Sequence, residues 1–170
     1  MSLLDTLDKA ELKELLVKCW MAHDGAWFFH CFQQFGIDAA NALNRAAIRT
    51  LAQYESRQIQ KALGWENAQI ESFEDLKAFF RAGFDVVKGN FMQFEYSFPA
   101  ENVLHWEMGR CFALEGMDRI GAAEGYQCGV LFRVQCWLEA LGVNYTLEPP
   151  VERCLMLTEG KCAGDFTFQF

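Results

Sequence analysis

From Leu3 to about Gly89 apolar residues recur every three or four positions, glycine is sparse and proline is absent, which predicts three helices. The first runs from Thr6 or Asp8 to Gln34, with Leu12, Leu16, Cys19, His23, Trp27 and His30 on one stripe. Trp20, Phe28, Phe29 and Phe32 spread over its other faces, so its second half reads as a central, buried helix. Gly36 ends it. Asp38 is the N-cap expected for a second helix to about Leu63, closed by Gly64, and Ser72 with Asp75 opens a third over Phe73 to Ala82.

Beyond residue 89 the period changes. Phe91, Met92, Phe94, Tyr96 and Phe98 nearly alternate, and Val103 to Phe112 reads as a second strand, paired as a hairpin around Pro99–Asn102. Leu114 to Ala123 is a short helix broken by Gly125, and Cys128 to Leu141 an amphipathic one ended by Gly142. The tail reads as strands at Tyr145 to Leu147, Val151 to Thr158 and Asp165 to Phe170, with Gly160 and Gly164 in turns. Helices followed by an antiparallel sheet with inserted helices make an α+β fold: one domain over residues 1–170, helical to about 89 and mixed after it.

Composition narrows the partners. At 170 residues and 52% hydrophobic, the chain has enough apolar surface for a core without crosslinks, which excludes a disordered chain. A net charge of −8 with no Lys/Arg run argues against nucleic acid, and charges interrupt every apolar stretch before the roughly 20 residues of a membrane span. Seven cysteines without an export signal point to a reducing cytoplasm, where clustered thiols bind metal or do chemistry more often than they crosslink.

Five of those cysteines fall late: Cys111, Cys128, Cys136, Cys154 and Cys162. On a strand Glu152 and Cys154 would share a face, a turn through Gly160 would return Cys162 beside them, and Cys128 at a helix start would supply a fourth ligand. Three sulfurs and one oxygen suit a structural zinc ion, the alternative being buried free thiols. Cys128 to Cys154 spans 26 positions and Cys154 to Cys162 spans 8, with Glu152 just ahead of the second cysteine and Phe166 after the last. In this the segment resembles the zinc-binding end of the 4-vinyl reductase domain, a small-molecule-binding module of bacterial phenol sensors and methanogen proteins. The resemblance implies zinc at Cys128, Glu152, Cys154 and Cys162. The family often places its glutamate three residues before the cysteine, and its turn glycine earlier than Gly160, so Cys111 and Asp165 are the substitutes for the fourth ligand.

A second likeness covers more of the chain. Trp20-Met21-Ala22-His23-Asp24-Gly25-Ala26-Trp27, then Phe35-Gly36 and Ala39-Ala40-Asn41-Ala42-Leu43-Asn44, is similar to a bacterial and archaeal family known only as a domain of unknown function. That family is distantly similar to L-2-amino-thiazoline-4-carboxylic acid hydrolase-like proteins. Common ancestry of that kind brings no activity with it.

Polar groups interrupt the apolar helices: His23 and Asp24 on the first, Asn41, Asn44 and Glu55 on one stripe of the second. If the helices pack antiparallel these converge, either as a self-satisfied network or as the polar end of a site where Trp27 and its neighbours hold a small apolar or aromatic molecule. The phenol-sensor likeness adds His105 and Trp106, of which alternation lets only one line a given pocket. These residues predict a cytoplasmic small-molecule-binding sensor or accessory domain with a structural zinc, passing any signal through a partner or homodimer. The rival is a hydrolase using His23 as a base, or pairing Cys111, Cys136 or Cys154 with His105.

Overall fold

The computed structural model of the chain describes residues 2–66 and 68–170. A short helix α1 (Leu3–Thr6) precedes α2 (Lys9–Ala62), whose start is fixed by a reciprocal cap. Asp8 Oδ1 accepts the Glu11 N–H at 2.8 Å and Glu11 Oε2 accepts that of Asp8 at 2.9 Å. Gly36 divides α2 into two arms, as the sequence predicts a break there, but no loop intervenes and Asp38 lies inside the second arm. Its backbone (φ 82°, ψ 174°) is in a region that only glycine occupies readily, and this one residue turns the chain.

Helix α3 (Phe73–Val87), capped by the Ser72 hydroxyl, runs a turn beyond the predicted Ala82. Then come β1 (Phe94–Ala100), β2 (Val103–Met108), α4 (Phe112–Arg119), a 3-10 turn at Ala123–Gly125, α5 (Gly129–Leu141), β3 (Asn144–Glu148), α6 (Leu155–Thr158) and β4 (Cys162–Gln169). The four strands form one antiparallel sheet in the order β1-β2-β4-β3. This is the α+β arrangement expected.

Four expectations are corrected. Gly164 lies within β4 opposite Trp106 and not in a turn, and the second strand ends at Met108, with Phe112 opening α4. Val151 to Thr158 is not a strand: Pro149 and Pro150 end β3, and the chain forms the single helical turn α6 with Cys154 at its N-cap. The first arm of α2 is not central either. It is buried at Val17, Phe28 and Cys31, while Leu15, Leu16, Trp27 and Phe35 face solvent.

Two cores hold the fold together. The larger packs the second arm, α3 and α5 on the inner sheet face, with Phe79, Phe80, Trp106, Trp137 and Phe166 fully buried. The smaller joins Phe28 and Cys31 of the first arm to Ala40, Met117, Ala122 and Tyr126. Asn41 sits at this junction. Its amide donates to the Gly125 carbonyl at 2.8 Å and its oxygen accepts the Gln127 N–H at 3.1 Å, so it fastens the 3-10 turn to α2.

Candidate functional site

Where the two cores fail to close on each other, a cavity of about 470 Å³ remains. Phe84, Phe94, Met108 and Trp137 wall it from the larger core, and Phe28, Met117 and Tyr126 from the smaller. Met21 and Met92 also line it, so four of the chain's six methionines face this space. Such unbranched, polarisable walls adapt to a guest. The volume is that of a small-ligand site, mostly apolar with a few polar groups.

The polar lining groups are Asp24, Asn44, Lys88, Arg119, Tyr126 and Arg133. Arg133 Nε donates to Glu55 Oε2 at 2.9 Å, a second guanidinium N–H pairs with Glu55 Oε1, and Trp137 Nε1 donates to Oε2 at 3.0 Å. The same guanidinium stacks over Trp20, 4.6 Å from the ring centre. Glu55 is therefore saturated and Arg133 held flat against the wall. Asp24, half-exposed where it lines the cavity, is not: the nearest basic side chain is the His23 ring, its Nδ1 3.7 Å away. Desolvation raises its carboxyl pKa, and the opposing charges of His23 and Arg133 only partly offset that. Tyr126 accepts the Gly129 N–H at 3.0 Å, and its own O–H has no acceptor among the described residues. Burial holds that phenol protonated by raising its pKa.

Of the residues singled out from the sequence, Asp24 and Asn44 line this cavity. His23 and Trp27 do not. Both are turned from Asp24 towards solvent, His23 by about 100° and Trp27 by about 60°, and their exposures are 70% for the His23 side chain and 61% for Trp27. Asn41 is occupied by the 3-10 turn, and Trp106 is wholly buried in the core. His105 points to the outer sheet face, its Nδ1 2.8 Å from Asp165 Oδ1. Ser97 lies across from it on β1. Among the described residues no thiol is hydrogen-bonded to a histidine. The lining residues that sequence reasoning missed, Phe84, Phe94, Met108 and Arg133 among them, come from separate elements and share no periodicity.

A model for a family of unknown function, DUF6125, matches residues 5–118. The chain belongs to this family. No curated protein and no solved structure matches it. The DUF6125 match covers the first cavity wall, from Met21 to Met117, whereas Tyr126, Arg133 and Trp137 lie beyond it.

The late cysteines of this DUF6125 chain gather beside the cavity's Tyr126. Cys111, Cys128 and Cys154 are the N-cap residues of α4, α5 and α6, and Cys162 opens β4. They share one neighbourhood, near enough that ionising one opposes ionising the next, and Cys128, Cys154 and Cys162 are buried. Glu152 is exposed and Asp165 faces the outer sheet with His105. As the side chains stand, no three His, Cys, Asp or Glu among the described residues form a ready metal group.

The donors around the thiols nevertheless suit thiolates. Backbone N–H groups at the α5 start point at Cys128 and those at the α4 start at Cys111. The buried indole N–H of Trp106, which has no oxygen or nitrogen partner, lies against Cys162. Without a cation, burial dominates and pushes Cys128 up to about 12 and Cys162 up to about 11. Unfolded thiols ionise near 8.5, so the stabilisation from keeping these two protonated is intact below that pH and is lost as pH rises through about 11 to 12. Urea midpoints of metal-free protein are expected to fall steadily above pH 9, and Cys128→Ala to flatten that fall. An unchanged slope in the variant would contradict it.

Proposed function

We propose that this chain is a small-molecule-binding domain, a sensor or accessory module, whose ligand is a compact and largely apolar molecule. The observation that carries the reading is the cavity left between the two cores, walled by methionine and aromatic side chains with Asp24 unsaturated at its mouth. An aromatic ring bearing one hydrogen-bond donor matches both features. The hydrolase alternative finds less support, since burial raises the pKa of the Cys111 and Cys136 thiols, no described thiol is hydrogen-bonded to a histidine, and His105 is engaged by Asp165 on an open sheet face.

Indole serves as a probe with the required ring and N–H. At a concentration 100 times its Kd it should stabilise the fold by about 2.7 kcal/mol, which for a chain of this size raises Tm by roughly 5–10 °C. No shift with indole, benzene or benzyl alcohol near their solubility limits would refute the reading.

A thiophilic ion, zinc by preference, is part of the same proposal, held by Cys111, Cys128, Cys154 and Cys162. The orphaned Trp106 N–H beside Cys162 and the helix N-termini beside Cys111 and Cys128 support this donor set over one including the exposed Glu152. Bound there, the ion would supply a structural crosslink between α4, α5, α6 and β4. Cobalt(II) added to the reduced, metal-free chain should give the thiolate charge-transfer and d–d absorption of a tetrahedral site. Cys154→Ser and Cys111→Ser should weaken or abolish it, and Glu152→Gln leave it unchanged. Failure to take up either metal would refute the centre, and sensitivity to Glu152→Gln would reinstate the oxygen ligand.

A further inference from the structure

The first arm of α2 carries an apolar stripe that none of the described residues covers. At 100° per residue Leu15, Leu16, Cys19, Ala22, Ala26 and Trp27 fall within about 140° of one another. Leu15 is 41%, Leu16 59% and Trp27 61% exposed. Trp27 alone leaves roughly 150 Å² bare, and with the leucines and the small residues between them the patch reaches roughly 400–500 Å², the size at which an exposed apolar surface is commonly functional.

Charge and shape identify what covers it. From Leu12 to Gln34 the stripe holds no Asp, Glu, Lys or Arg, and His23 and His30 are the only basic groups on it. It therefore offers no grip to a polyanion or an anionic membrane. It is also the face on which two chains of net charge −8 meet without opposing carboxylates. The bulk is disposed symmetrically about Met21–Ala22: Leu15 and Leu16 on one side, Ala26 and Trp27 on the other, with Cys19 and Ala22 between.

We propose that this stripe is the seam of a homodimer, in which the first arm of one chain packs antiparallel on that of a second copy. Twofold symmetry sets Trp27 of each chain over Leu15 and Leu16 of the other and lets the helices approach at Cys19 and Ala22. Two such patches bury about 800–1,000 Å², at the lower bound for a specific interface, so the dimer is reversible and depends on concentration. Ala22 and Gly25, at the edge of the seam, also line the cavity, so the second copy borders its mouth.

Sedimentation equilibrium of the full chain from about 5 to 200 μM tests this. The mass should climb from one chain of 19.5 kDa towards two. Trp27→Glu and, separately, Leu16→Glu should hold it at one across the range with unchanged far-UV circular dichroism, since both side chains are exposed. A wild-type chain still monomeric at 200 μM overturns the proposal, as does a dimer that both folded variants retain.

Discussion

Arg133→Leu is expected to destabilise the chain by about 3–5 kcal/mol, the largest loss from any single polar substitution. The physical reason is what it strands. The Glu55 side chain is only 12% exposed and accepts two bonds from Arg133 and one from Trp137. With Arg133 removed, a desolvated carboxylate keeps only the indole N–H. Glu55→Leu leaves the guanidinium, which can extend towards solvent over Trp20, and should cost less, about 2–3 kcal/mol. The double variant should be milder than Arg133→Leu alone, because removing both partners abolishes the stranded charge and leaves one unpaired indole donor. Urea denaturation of the wild type and the three variants closes a double-mutant cycle. Additive losses would contradict the pairing.

Gly164→Ala is expected to cost about 3 kcal/mol by overpacking. A Cβ there would collide with the Glu148 carbonyl oxygen and the Trp106 ring, and would stand 2.8 Å from Pro149 Cδ. The Glu148 carbonyl belongs to β3, which pairs with β4, so relief of the clash must spread or break the ladder. Gly116→Ala is the internal control: nothing lies within 4 Å of its Cβ, and helix propensity should yield a gain of up to about 1 kcal/mol. A Gly164→Ala variant within 0.5 kcal/mol of wild type in the same urea titration would show that strand packing there is looser than described.

Local signals in the sequence carried the helices and strands well. The first long helix starts at Asp8, one of the two starts expected, Ser72 with Asp75 caps α3, Gly36 breaks α2, and Pro99–Asn102 encloses the hairpin turn. Burial was less legible, because a helix apolar on every side looks the same whether its outer face meets a core or meets solvent, and the first arm was read as central. Val151 to Thr158 misled for a different reason: a single helical turn is too short to display a period, and the strand reading placed Glu152 beside Cys154. Asp24 and Asn44 were found as polar residues on apolar helices. The rest of the cavity was out of reach, since Phe84, Met108 and Arg133 meet only through tertiary packing. His23 and Trp27 share the arm with Asp24 but are turned from it towards solvent, by about 100° and about 60° of helical phase.

The binding cavity is tested most directly by filling it. Gly116 lines the space, and its Cβ would meet open room, so Gly116→Phe inserts a ring where the ligand is proposed to sit without a clash at the backbone. Saturation-transfer NMR with indole on wild type and Gly116→Phe, both checked for folding, separates the outcomes. The account predicts transfer to indole in the wild type, its loss in the variant, and a variant at least as stable as the parent. Equal transfer in both proteins, or none in the wild type, would contradict it.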